Sequence, residues 1–283
     1  MQVFVGEDER LRARLIATDL DGTLLRSDKS ISKSAHDEIR RLSEKGCIFV
    51  AATGRGMNAL PEEILENKAF KYAIVLNGAA IYDISNGRKG KKLLWESFIP
   101  GEHVKFILDI TKGLPVYYEC FFDEKGYSSK AYLDDPSGFG LSEHSIRYLR
   151  QTRIPVEDMR SFIQENISGL NGMDIVLDES VSKSSLKDLM EGHGIYVTTS
   201  SAHLLEICNS AKDTALRTVM DMEAVPAEDT VAFGDGDNDA AMLGMAGVGV
   251  AMKNGSKKCK ASADRVTGSN DDDGVAEALS EIL

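Results

Sequence analysis

Near its start the chain runs Leu15-Ile16-Ala17-Thr18-Asp19-Leu20-Asp21-Gly22-Thr23, a short apolar stretch that breaks into two acids. A run of this kind reads as a strand buried on both faces of a parallel sheet. In open α/β sheets the carboxyl ends of such strands are where ligands bind. Two carboxylates at i and i+2 just past the strand can converge on one site in a tight turn, which Gly22 permits. One can attack a phosphorus atom while the other handles protons, and a metal makes their closeness tolerable. An isolated D-x-D is usually an acidic surface turn; the apolar strand before this one favours chemistry.

Outward from that strand the pattern repeats. The sequence predicts a helix over residues 33–45, with Ala35, Ile39 and Leu42 on its buried face and Gly46 just past its end. Cys47–Ala52 reads as a second buried strand, followed by a short helix near Pro61 and a third strand at Ala73–Leu76. Strands alternating with helices imply right-handed βαβ units and a doubly wound parallel sheet. Between Ile84 and His203 the style changes to aromatic and β-branched runs such as Val116–Phe122, with helices expected at 104–111, 156–165 and 182–190 and a loop at 134–142. The first style then returns, with an amphipathic helix at 214–222, strands at Thr230–Phe233 and Gly247–Ala251, and a last helix at 274–282. An interrupted and resumed α/β pattern describes an α/β core of residues 1–83 plus 204–283 holding an inserted α+β module of residues 84–203.

Other strand ends also carry polar groups. Thr53-Gly54-Arg55 offers a hydroxyl, a bare backbone and a guanidinium, the makings of a phosphate cradle. Gly234-Asp235-Gly236-Asp237-Asn238-Asp239 ends a strand and opens a helix, where Asp235 and Asp239 can face a hard cation such as Mg²⁺. The same acids match the opening of a calcium loop, but Ala240 and Ala246 stand where that loop needs Gly and Glu. Lys212, placed between a strand ending near Asn209 and a helix starting near Asp213, can hold a phosphoryl group as a point charge. The five histidines show no ligand spacing. A P-loop, a G-x-S-x-G elbow and a Rossmann G-x-G-x-x-G are all absent from the sequence.

Taken in order, D-L-D-G-T, T-G-R, a lysine and G-D-G-D-N-D resemble the haloacid dehalogenase superfamily of phosphohydrolases. The match is to the Cof-type branch (subfamily IIB), whose large C2B-type cap is inserted between the second and third motifs. Asn77-Gly78-Ala79, Ala251-Met252-Lys253-Asn254 and Asn270–Val275 are further family-like segments. Only residues 1–14 fall outside the resemblance. It implies Asp19 as the nucleophile that forms an aspartyl-phosphate, Asp21 as the acid/base, Thr53 as a phosphoryl-binding hydroxyl and Lys212 as the neutralising cation. It implies Mg²⁺ held by Asp19, the Asp21 backbone carbonyl, Asp235 and Asp239. Asn238 would help orient the phosphoryl pocket, with Gly54 in the cradle, while Arg55 and Asn77 contact the leaving group. Asp237 sits at a variable position, and Asp213 departs from the family's usual Gly.

Composition sets the outer limits. The 283 residues are 42% hydrophobic and 28% charged, close to a globular average. A net charge of −12 argues against unspecific nucleic-acid binding. No apolar stretch approaches membrane-spanning length, and acids and arginines interrupt the N-terminus before a secretory segment can form. Cys47, Cys120, Cys208 and Cys259 are scattered, which favours free thiols and a cytoplasmic setting. The expectation is therefore a Mg²⁺-dependent phosphatase acting on small phosphorylated metabolites, sugar phosphates first, with neither nucleic acid nor membrane as partner. A phosphomutase of related architecture fits the same residues, and a non-enzymatic metal- or ligand-binding module is the reading of another class.

Overall fold

The computed structural model describes residues 13–139, 141–199 and 201–282. Most of the N-terminal stretch, residues 1–12, on which the expectation of no secretory segment rests, lies outside the described residues, as does Gly140 of the expected 134–142 loop.

In chain order the strands are β1 (Leu15–Thr18), β2 (Ile48–Ala52), β3 (Phe70–Val75), β4 (Ala80–Asp83), β5 (Lys92–Glu96), β6 (Val116–Phe122) and β7 (Lys125–Ser129). They continue with β8 (Arg153–Val156), β9 (Gly172–Leu177), β10 (Val197–Thr198), β11 (Leu204–Cys208), β12 (Thr230–Gly234), β13 (Val248–Ala251) and β14 (Arg265–Val266). The described chain divides into two compact units. One holds the residues through Ala51, Ala69–Lys71 and those from Leu216 onward; the other holds Ala52–Lys68 and Tyr72–Ala215.

In the first unit the strands run in the order β14-β13-β12-β1-β2, parallel throughout. All four residues of β1 are buried, as a strand flanked on both sides and covered on both faces must be. Thr18 lies opposite Phe233 on one side and Ala51 on the other, which fixes where the chain leaves β1. The helix Lys33–Glu44 is capped by the Ser32 hydroxyl, which accepts from Ala35 N at 3.1 Å, and it buries Ala35, Ile39 and Leu42. Gly46, at φ 91°, turns the chain out of that helix. The helix Gly274–Ile282 packs against it.

The second unit departs from the expected parallel pattern at its start. β3 begins at Phe70, in the Ala69–Lys71 stretch of the first unit and three residues before its expected start, and from Tyr72 onward β4 and β5 pair antiparallel in succession. The six-stranded sheet of this unit runs β10-β11-β9-β6-β7-β8, antiparallel except for the β7–β8 pair. Helices Gly101–Ile110, Met159–Glu165 and Lys183–Gly192 supply Val104, Ile107, Ile163 and Met190 to its core, where they meet Cys120, Met173, Ile175 and Leu205 from the strands. The other face of β6, β9 and β11 carries acids instead. The stretch expected as a loop contains the end of a helix, Lys130–Asp134, and leads into another, Glu143–Thr152, capped by Ser142. The chain is thus α/β with a parallel-sheet core and a further α+β sheet, and no helix among the described residues is long and apolar enough to cross a membrane.

Candidate active site

In the first unit the acids gather. Asp19 leaves β1 with its backbone N–H bonded to Phe233 O at 3.0 Å, so β12 holds the first residue past the strand. Asp19, Asp235 and Asp239 each place a carboxylate oxygen within 4.8 Å of the others. Asp19 is 6% exposed and Asp239 1%. Like charges this close and this buried repel strongly unless a cation joins them. Hard oxygen donors in small number suit Mg²⁺, which takes a few carboxylates and completes its shell with water and phosphate.

The loops around this group are braced. Asp239 accepts from the backbone N–H groups of Asp235 (3.0 Å) and Gly236 (2.9 Å), so it shapes the loop as well as facing the cluster. Thr23 donates its hydroxyl to Asp235 Oδ1 at 3.0 Å. Gly22, at φ 82°, lies so near that a Cβ there would stand 2.5 Å from Asp235 Oδ2. Asn254 donates its amide to Gly22 O at 2.8 Å, and Asn270 donates to Leu25 O at 2.9 Å. These two family-like asparagines therefore hold the backbone around the D-L-D-G-T turn. Asp237, expected to be a bystander, accepts from Ser256 Oγ at 2.5 Å, and Ser256 caps the helix Lys257–Ser262. Asn238 lies between these braced acids.

Asp21 stands apart from the three-acid group. Its carboxylate is part-exposed and pairs with Lys29 Nζ at 2.8 Å. Lys29 itself sits at φ 70°, a conformation few non-glycine residues adopt. Sequence reasoning missed Lys29; an ordinary loop lysine eight residues from the motif carries no local signal.

The second unit brings together the other motif residues. Thr53 is 1% exposed, with its N–H on Ile74 O at 2.9 Å and its hydroxyl accepting from Arg55 N at 3.1 Å. Leu76, Asn77 and Gly78 follow β3 with positive φ at all three positions. Asn77 N donates to Thr53 O and Leu76 N to Arg55 O, both at 3.0 Å, so the T-G-R and Asn77 segments are laced together. A side chain at Gly54 would meet the Asn77 amide. The Asn77 amide donates to Glu206 Oε1 at 3.4 Å. Arg55 donates to Ala59 O at 3.1 Å and lies 5.1 Å from the Tyr148 ring centroid.

Lys212 follows β11 and opens the helix Lys212–Glu223, within a residue of the expected helix start, and it is 1% exposed. Gly78, at φ 106°, packs directly on the Ala211–Lys212 peptide. Asp213 lies in the first turn, where an acid favours the helix dipole.

Asp19, Asp235 and Asp239, collected at the ends of parallel strands, form a candidate metal site in an α/β fold. The family model of the haloacid dehalogenase-like hydrolases matches residues 16–279, and the chain belongs to that family, as a phosphatase of the Cof type. It is similar to 5-amino-6-(5-phospho-D-ribitylamino)uracil phosphatase YitU of Bacillus subtilis, with 30% identity over 277 residues covering 95% of this chain and 97% of the relative. It is also similar to YcsE of the same organism, a phosphatase of the same name, at 28% identity over 277 residues and 96% of each chain. A solved haloacid dehalogenase-like hydrolase from B. subtilis superposes with a TM-score of 0.78 at 27% identity, covering 95% of this chain and 100% of that one. Membership of a hydrolase family displaces the reading as a non-enzymatic binding module.

Proposed function

We propose that the chain is a Mg²⁺-dependent phosphatase of small phosphomonoesters that works through an aspartyl-phosphate on Asp19. Residues 1–83 and 204–283 act as the catalytic core and 84–203 as an inserted cap. The observation that carries this reading is the convergence of Asp19, Asp235 and Asp239 within 4.8 Å at strand ends. Those three, with the Asp21 backbone carbonyl, are the groups that would hold Mg²⁺, which when bound neutralises charge on the acids and the phosphate.

The chain's own residues do the rest. The Asp19 carboxylate attacks phosphorus, and the carboxyl of Asp21 gives its proton to the departing oxygen. Asp21 then takes a proton from the water that releases phosphate from Asp19, so one difficult displacement becomes two easier ones. The Thr53 hydroxyl, the Gly54 backbone and the Lys212 ammonium receive phosphoryl oxygens, and Asn238 orients that pocket. Arg55 and Asn77 face the leaving group. Because phosphoryl transfer asks mainly for positioning and charge stabilisation, this set suffices.

The two curated relatives act on a phosphorylated ribityl compound, which favours phosphates of sugars and sugar alcohols as substrates. The four cysteines are free thiols, in keeping with a reducing cytoplasm. Purified protein should hydrolyse p-nitrophenyl phosphate in Mg²⁺ and stop when the metal is chelated. Asp19→Asn should lower turnover by on the order of a thousandfold or more. Comparable turnover in that variant removes Asp19 as nucleophile.

A further inference from the structure

β5 is an outermost strand: β4 pairs with it on one side, and no strand among the described residues pairs with it on the other. Such a strand presents unpaired N–H and C=O groups along its free edge, a template for another strand. The sequence Lys92-Leu93-Leu94-Trp95-Glu96 makes this edge apolar in the middle. Leu93 is 44% exposed, Leu94 41% and Phe98, just past the strand, 41%. Of the nine exposed large hydrophobic residues among the described residues, these three fall within six positions. Single exposed apolar residues are ordinary, whereas a group of them marks a contact surface.

A bulge accounts for the two consecutive leucines. Trp95 lies opposite Ile81 and Leu93 opposite Tyr82, so Leu94 is an extra residue with no partner on β4, and it breaks the alternation of the strand. Bulges and lysines commonly guard an edge, and Lys92 stands at one end of this one. At the other end, equally far from Leu94, stands an acid, Glu96, and both charges are exposed. Asn171 donates its amide to Glu96 Oε2 at 3.2 Å, which steadies the acid. A two-fold interface needs a patch that is complementary to itself. β5 meets that need in the antiparallel register centred on Leu94. Lys92 then lies opposite Glu96 of the second copy, Leu93 opposite Trp95, and Leu94 opposite Leu94. Opposite charges directly across two strands stabilise the pair, and like charges there destabilise it.

We propose that the chain associates with a second copy of itself by antiparallel edge-to-edge pairing of β5, with a Lys92–Glu96 contact on each side of a leucine centre. The charge pattern selects this occupant: the edge fits a strand with an acid at one end, a base at the other and apolar residues between, and the chain's own β5 is such a strand. The inference stands apart from the phosphatase reading. One five-residue strand is a small contact for a protein interface, so the dimer is weak, with a Kd on the order of micromolar.

The test is sedimentation velocity on the full-length protein across the micromolar range. The unsubstituted chain should pass from monomer to dimer as its concentration rises. Lys92→Glu sets acid against acid at two places, and Glu96→Lys sets base against base; each should weaken association by about tenfold or more. Lys92→Glu combined with Glu96→Lys restores opposite charges at both places and should bring Kd back to within about threefold of the parent. Both positions are exposed, and thermal melts run beside the sedimentation check that each variant is folded. Recovery by a second substitution is a result that damage to the fold cannot produce. A chain that stays monomeric throughout leaves the edge to some other strand and overturns the proposal. A dimer that the single reversals do not weaken, or that the paired reversal does not recover, overturns it as well.

Discussion

Replacing Gly22 with alanine should injure the proposed metal site and the fold by separable amounts. The backbone there has φ 82°, and the added Cβ would sit 2.5 Å from Asp235 Oδ2 and 2.9 Å from its Cγ. Ordinary contact begins near 3.4 Å, so the carboxylate must retreat by about 0.9 Å or the turn must open. Asp235 cannot retreat freely, because Thr23 holds its Oδ1 at 3.0 Å. Mg²⁺ demands ligand distances of about 2.0–2.1 Å in near-octahedral geometry, so a shift of this size removes a ligand. The left-handed backbone adds about 1–2 kcal/mol of strain, worth a few degrees in Tm for a chain of this size. Gly46 provides the matched control: its φ is 91°, and a Cβ there meets nothing within 4 Å. Both alanine variants should therefore melt a few degrees lower, yet only Gly22→Ala should need about tenfold or more extra Mg²⁺ for half-maximal phosphatase activity. The assay is a Mg²⁺ titration of turnover beside a thermal melt. A Gly22→Ala protein that titrates like Gly46→Ala would falsify the placement of Asp235 in the metal site.

Two further outcomes follow from the second unit. Desolvation, then the nearby charges of Glu206 and Glu119, push the Asp174 carboxyl well above the usual carboxylate range, against a smaller pull from Arg153. The folded state then holds a proton that the unfolded chain has released, so stability falls as pH rises from the ordinary aspartate value through the raised one. Asp174→Asn should flatten that fall in melts taken across acidic to neutral pH; parallel curves for the two proteins would contradict the assignment. Gly78→Ala, at φ 106°, would drive a Cβ into the carbonyl oxygen of Ala211 and to 3.0 Å from Lys212 N. That variant should lose about tenfold or more in kcat with its Mg²⁺ requirement unchanged, and an unaltered kcat would detach Lys212 from the phosphoryl site.

The parts of the fold legible in the sequence are those where burial leaves a local mark. β1 and β12 are buried at every position, so each reads as an apolar run that stops where polar chemistry begins. The strand-end acids could be found because their motifs are contiguous. β5 escaped because Lys92, Leu93, Leu94 and Glu96 are all exposed and its pattern does not alternate, and β8 because Pro155 sits within a sheet-edge strand. Lys212 reads as any lysine at a helix start until its 1% exposure is seen. The row of acids on β6, β9 and β11 was missed for a different reason. Each of its members was visible as an anomaly, Glu119 within Val116–Phe122, Asp174 within Gly172–Leu177 and Glu206 within Leu204–Cys208, since a charge inside an apolar strand is costly without a partner. What no local reading supplies is register. Antiparallel pairing aligns three positions 55 and 32 residues apart along the chain, and one residue of slip would send any of them to the helix-covered face. Three separate strands each tolerate an acid, and pairing places all three on the same face and in the same row. Hydrophobic packing of Cys120, Met173, Ile175 and Leu205 on the opposite face sets that register. The core of this sheet therefore positions the acids.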